Sequence, residues 1–218
     1  MEKYSDRQSA GQVLAEKLHH YANNPQVIVL ALPRGGVPVA YAIASQLNVP
    51  LDVFLVRKLG VPFHPELAMG AIARDASPVL NEDIIKELGI KPEAIERVLQ
   101  EEKKELIRRD LAYRGQRPFP NLRDKIILLV DDGIATGATM RAAIKALRTL
   151  HPAEIVVAIP VGDRMICNQL SKLADHVVCP LMPSPFYAVG AWYDYFPQTE
   201  DEEVKLLLKA ARSISSSH

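Results

Sequence analysis

Apolar residues recur at helical spacing near the start of the chain. Ala10, Val13, Leu14, Leu18 and Tyr21 fall near one face of a helix over residues 6–23. The polar run NNPQ then ends it by turn chemistry. Residues 27–32, VIVLAL, are apolar without a break, a pattern that suits a parallel strand covered on both faces. After PRGGVP, the stretch VAYAIASQL predicts a helix. Residues 51–58, LDVFLVRK, predict the next strand, ending on Arg57 and Lys58. ELAMGAIA and SPVLN predict extended pieces, antiparallel and nearer an edge. Residues 81–88 predict a short helix with Asn81 as N-cap. Residues 92–113 predict a longer one with Pro92 near its first turn. The run EEKKELIRRD within it suits a solvated face with i,i+4 ion pairs. RGQRPFPNLRD predicts a loop, and residues 125–130, KIILLV, the most apolar strand. A helix (137–150), a strand (154–160), a helix (164–172) and a strand (176–179) follow. The last helix, 202–212, is expected to be capped by Thr199 or Asp201.

Strands alternating with helices imply βαβ units, hence an α/β fold with a mainly parallel central sheet flanked by helices. No internal repeat is visible, and only the terminal SSSH is low in complexity. The chain has 218 residues, enough for one substantial core and a small accessory lobe. Lys+Arg and Asp+Glu are both 26, so the basic excess that a sequence-independent grip on nucleic acid requires is missing. The N-terminus lacks the apolar segment of a secretory signal, and no apolar run is long enough to cross a bilayer. Cys167 and Cys179 are too few and too isolated for a zinc site or a disulfide framework. A cytoplasmic protein without nucleic-acid or membrane partners is expected.

The chemistry concentrates in LLVDDGIATGATMRAA. Asp131 and Asp132 follow the strand at 125–130, and ligands of open α/β sheets bind beyond the carboxyl ends of strands. Neighbouring side chains on a strand point to opposite faces, so both acids address one ligand only where the strand has given way to a loop. Gly133 makes that break plausible. The run ATGAT, residues 135–139, opens the next helix, where backbone N–H groups and positive partial charge favour a phosphate. Thr136 and Thr139 add hydroxyl donors. Carboxylates accept hydrogen bonds only, which suits a vicinal diol that donates two. This pattern points to a monophosphate on residues 136–139 and the ribose diol beside it on Asp131 and Asp132. A response-regulator acid cluster would lie near its domain's N-terminus, a Walker loop needs Gly-Lys-Ser/Thr, and a Rossmann fingerprint is absent.

IILLVDDGIATGAT resembles the phosphoribosyl-pyrophosphate (PRPP) signature of type I phosphoribosyltransferases. Gly133 departs from it, since a branched aliphatic residue is more usual there. LPRGGVP, residues 32–38, resembles the family's pyrophosphate loop, and Arg57–Lys58 its basic pair. The resemblance covers roughly residues 27–160. It implies a single domain with a core at about 25–160, an inserted helical arm at about 81–120, and a small hood plus C-terminal helix at about 161–213.

The activity implied is transfer of 5-phosphoribosyl from PRPP to a nucleobase or related base, with release of pyrophosphate. Asp131, Asp132, Arg57 and Lys58 would be catalytic. Arg34, Gly35, Gly36, Gly133, Ala135, Thr136, Gly137, Ala138 and Thr139 would bind substrate. Mg²⁺ would be held through pyrophosphate, ribose and water, with no direct protein ligand and with Asp131 and Asp132 within reach through water. A homodimer is expected by the same resemblance. His64 and Glu66 are weaker candidates for pyrophosphate, metal or base, against turn residues in a surface hairpin. Arg108, Arg109 and Arg114 are candidates to reach in from the arm. Phe186, Tyr187 and Trp192 are candidates to stack on a base, against plain packing of an aromatic-rich strip. A non-catalytic PRPP or nucleotide sensor, and a PRPP or nucleotide hydrolase, are the competing functions on this fold.

Overall fold

The computed structural model describes residues 3–215, with the side chains of Glu66, Ile214 and Ser215 outside the description. The SSSH tail past Ser215 therefore lies outside the described residues. The chain forms two compact units, residues 1–54, 122–137 and 152–218 in one, and 55–121 with 138–151 in the other.

The first unit is built on a parallel sheet. Its strands are β1 (Val27–Ala31), β2 (Leu51–Val53), β6 (Ile126–Val130), β7 (Glu154–Ala158) and β8 (His176–Val178), ordered β2-β1-β6-β7-β8. β1 is buried along its whole length, and residues 127–130 of β6 are fully buried, as continuous apolar runs require in a sheet covered on both faces. This unit also holds α1 (Arg7–Lys17), α2 (Gly36–Leu47), α6 (Arg164–Leu170) and α7 (Asp201–Ser215). α1 starts where its capping box sets it: the Asp6 side chain accepts from the Ser9 N–H, and the Ser9 hydroxyl accepts from the Asp6 N–H. Leu18, expected within the same helix, is its C-cap, and Tyr21 is carried by a short 3₁₀ turn over His19–Tyr21. Asp201 lies inside the first turn of α7 rather than capping it.

The chain enters the sheet at β1, steps to one side for β2, then returns to β1's other flank for β6, β7 and β8. The strand order therefore reverses between β1 and β6, and the crevice at the carboxyl ends of those two strands is where ligands of such sheets bind.

The second unit carries an antiparallel sheet in the order β3 (Val56–Val61), β4 (His64–Ala73), β5 (Val79–Leu80). With it come α3 (Glu82–Glu87), α4 (Pro92–Arg114) and α5 (Ala138–Arg148). Asn81 caps α3 by accepting from the Ile84 N–H at 3.3 Å, and Pro92 sits in the first turn of α4. Leu59, Met69 and Leu106 centre the core, with Ile95 and Leu99 of α4 packed against it. Within α4, Asp110 and Arg114 are buried as a pair, Nε to Oδ1 3.0 Å, and Arg74 reaches the other Asp110 oxygen at 3.2 Å.

One sequence expectation is corrected here. Residues 51–58 are two strands rather than one. β2 ends at Val53, the Phe54 N–H donates to Ala31 O at 2.9 Å, and β3 begins at Val56 in the other sheet. Arg57 and Lys58 thus lie near the start of an antiparallel strand, and do not end a strand of the parallel sheet. Val53, Phe54 and Leu55 are all buried, so the hydrophobic pattern runs through the break without marking it.

Candidate active site

In the first unit, β6 hands over to a loop directly after Val130, so Asp131 and Asp132 stand beyond the strand as the diol argument requires. Asp131 Oδ1 accepts from the Asp132 N–H at 2.8 Å. Both carboxyls are partly buried. Burial, and then the neighbouring Asp132 charge, push Asp131 well above the usual carboxylate range. Burial also raises Asp132, while the Arg7 guanidinium beside it pulls the other way.

The turn after β1 lies against these acids. Leu32 donates to Val130 O at 2.8 Å, which keeps the two strand ends side by side. A Cβ on Gly35 would collide with the Asp132 carboxylate, and one on Gly36 would meet Val130 O at 2.8 Å and the Asp131 Cα at 3.0 Å. Gly35 has ordinary helical angles, so glycine is needed there for space and not for conformation. Arg34 follows a cis peptide bond and sits 3.8 Å from carboxylate oxygens of Glu200 and Asp201. The sequence-predicted Arg34, Gly35, Gly36, Asp131 and Asp132 are thereby brought together at the reversal point of the sheet.

The rest of the acid loop is anchored by the Ile134 N–H, which donates to Val161 O at 3.0 Å. Ala135 and Thr136 are exposed and Gly137 is buried. Gly133 is accounted for by its surroundings. A side chain there would meet Val189 Cγ1 at 2.5 Å and Val161 Cγ1 at 3.1 Å, so the space a branched residue would fill is taken by Val189 from another segment.

Ala138 and Thr139 open α5 and are exposed. In the second unit, Ala138 and Lys58 line one cavity of about 610 Å³ together with Gly70, Asn81, Arg141 and Lys145. Arg141 and Lys145 were missed from sequence. Their signal was the spacing 138, 141, 142, 145, which leaves a small and basic stripe on a helix whose other face buries Met140, Ile144 and Leu147. Arg57, in the same unit, is engaged by α4: its Nε donates to Glu102 Oε2 at 2.6 Å. Arg108 and Arg109 both pair with Glu105, and their hydrogen bonds pull that carboxyl down to about 2. Arg114 is a core residue, not one poised to reach into a site. His64 is exposed at the start of β4, after the hairpin turn at Pro62–Phe63. For Glu66 only the backbone is described.

Among the aromatics, Phe186 and Trp192 pack against a small cluster of Ala10, Val161, Leu181 and Tyr193, while Tyr187 is 84% exposed. Two residues that sequence reading did not single out touch the acid loop. The Tyr193 hydroxyl donates to Asp132 O at 2.6 Å, and Arg7 Nε donates to Asp132 Oδ2 at 2.9 Å. Cys167 and Cys179, read as isolated, bring both sulfurs beside Gly162, and their mutual influence lowers the Cys167 thiol and raises that of Cys179. Among the described residues no group of three or more His, Cys, Asp or Glu is placed to hold a metal ion, and no helix is long and apolar enough to cross a membrane.

A parallel sheet whose strand order reverses beside an acid-pair loop and a glycine turn defines an open α/β protein with its ligand crevice at that reversal. The chain belongs to the phosphoribosyl transferase domain family, whose model matches residues 4–182. It is 44% identical over 211 residues to a Mycobacterium tuberculosis (strain H37Rv) protein provisionally named phosphoribosyl transferase Rv0571c, covering 97% of this chain and 47% of that one. The chain thus spans about half the length of the curated relatives it matches. Among solved structures, TT1426 from Thermus thermophilus superposes with a TM-score of 0.84 at 38% identity, covering 95% of this chain and 98% of that one. A shorter stretch of 68 residues, 30% of this chain and 36% of the relative, is 38% identical to the bifunctional protein PyrR of Haemophilus influenzae.

Proposed function

We propose that the protein transfers 5-phosphoribosyl from PRPP to a nitrogenous base and releases pyrophosphate. The observation that carries this reading is the convergence, at the reversal point of the sheet, of the Asp131–Asp132 loop and the Arg34–Gly36 turn. The first presents carboxylate acceptors to a sugar diol, and its continuation through residues 135–137 leads to the start of α5, where a 5-phosphate is favoured. The second presents a guanidinium and a glycine backbone to the pyrophosphate.

Breaking the bond from C1′ to the pyrophosphate oxygen leaves positive charge on the ribose and negative charge on the leaving group. The protein's contribution is therefore positioning and electrostatics, with no side-chain nucleophile. Asp131 and Asp132 orient the ribose and favour its growing positive charge, and Arg34 stabilises the departing anion. Arg57 and Lys58 are assigned to that anion by the family resemblance. Mg²⁺, which Asp131 and Asp132 would reach through water, would neutralise phosphate charge. The two adjacent acids fit a hard cation reached through water, because one oxygen of each is already engaged by the Asp132 N–H or by Arg7. A homodimer acting in the cytoplasm completes the proposal.

Incubation with PRPP, Mg²⁺ and each common base, following pyrophosphate and nucleotide separately, tests it. Both products with at least one base are expected. PRPP binding without turnover for any base would replace the transferase with a sensor, and pyrophosphate without nucleotide would replace it with a hydrolase.

A further inference from the structure

Arg7 is the first residue of α1, yet its side chain is committed to the loop 125 residues away. Its Nε donates to Asp132 Oδ2 at 2.9 Å and its Nη1 to Pro197 O at 2.6 Å, and its guanidinium carbon lies 3.8 Å from the centre of the Phe196 ring. The side chain is only 11% exposed. Phe196 is itself fixed by stacking on Tyr193 at 4.7 Å, and the Tyr193 hydroxyl donates to the carbonyl of the same Asp132. The two segments that supply these groups are joined along their backbones. Tyr4 N–H donates to Trp192 O, Asp194 N–H to Tyr4 O, and Tyr195 N–H to Ser5 O, all within 3.0 Å. Asp132 is therefore gripped at both its carboxylate and its carbonyl by a strap made from residues 4–7 and 192–197.

We infer that Arg7 is a positioning residue of the ribose site, holding the Asp132 carboxylate in one orientation for the sugar diol. The inference rests on the ribose-binding reading above. An ionised carboxylate offers about four acceptor positions. Arg7 takes one on Oδ2, which leaves others for hydroxyl donors. The planar guanidinium is suited to the task, because one edge binds the acid while the face rests on an aromatic ring.

Calorimetric titration of wild type, Arg7→Met and Arg7→Lys with ribose 5-phosphate, 2-deoxyribose 5-phosphate and inorganic phosphate separates the alternatives. Wild type should prefer ribose 5-phosphate over its 2-deoxy analogue. Arg7→Met should weaken ribose 5-phosphate binding by about tenfold or more, the scale of one charge-assisted hydrogen bond. It should leave the 2-deoxy ligand and inorganic phosphate within about twofold, because Arg7 acts on the diol end only. Arg7→Lys, which keeps the charge, should recover part of the loss. If wild type prefers ribose and Arg7→Met binds it equally well, the positioning role falls while the ribose reading stands. Equal loss of all three ligands in both variants makes Arg7 merely structural and also overturns the inference. A wild type that does not distinguish the two sugars removes the ribose reading, and the role of Arg7 with it.

Discussion

Asp131→Asn should make the protein more stable at neutral pH while impairing its site. The substitution keeps the shape of the side chain and the Oδ1 acceptor that receives the Asp132 N–H at 2.8 Å. What it removes is the ionisable group, which burial and the adjacent Asp132 charge push well above the usual carboxylate range. An acid whose folded-state pKa is raised contributes stability fully present below its unfolded pKa, about 3.9, and lost as pH rises through the folded value. At neutral pH the wild type therefore carries a penalty that asparagine does not. Relief of such a strained functional group is worth about 1 kcal/mol, which for a chain of this size moves the melting temperature up by about 2–4 °C. The retained hydrogen bond means no new cost offsets it. Thermal unfolding of both proteins at pH 4.5 and 7.5 is the assay. The gain should be present at pH 7.5 and markedly smaller at pH 4.5, where the unfolded chain no longer fully ionises Asp131. A difference independent of pH, or a loss of stability at pH 7.5, would refute the reasoning.

Further expectations concern space and buried charge. Gly35→Ala should displace the Asp132 carboxylate and reduce PRPP-dependent turnover by about tenfold or more, since misplacement of about 1 Å at a reacting centre costs that much or more; turnover within twofold of wild type contradicts it. Gly133→Ala should cost about 1–3 kcal/mol, through overpacking against Val189 and through the positive φ of that position, and combining it with Val189→Ala should restore only the packing share in urea unfolding; strictly additive losses would show that the two do not share the space. In the second unit, Asp110→Ala should cost about 3–5 kcal/mol because it leaves the buried Arg114 without its carboxylate, and a loss under about 1 kcal/mol in the same unfolding assay would deny the pair that role.

What the sequence disclosed and what it concealed have physical causes. β6 and the acid loop were legible because an unbroken apolar run ends abruptly in two carboxylates, a sharp local contrast. α3 and α4 were legible from Asn81 and Pro92, whose preferences act within one turn. The change of sheet between β2 and β3 was hidden because Phe54 and Leu55 are buried just as their neighbours are, so burial carries no mark of the break. Arg7 was hidden because its partner is 125 residues distant, and a lone arginine at a helix start reads as solvated. Gly133 read as a departure from the signature, yet Val189 fills the gap, and compensation across 56 residues leaves no local signature. The same holds for Cys167 and Cys179, which only the fold brings together beside Gly162.

The central claim is that one crook at the sheet's reversal point holds a ribose by its diol and the attached phosphate on the adjoining loop. A crystal structure of the protein soaked with ribose 5-phosphate tests it most directly. The account predicts sugar hydroxyls on the carboxylates of Asp131 and Asp132, and the phosphate on the backbone of residues 135–137. A crook left empty at saturating ligand, or a sugar phosphate bound elsewhere on the molecule, would contradict it.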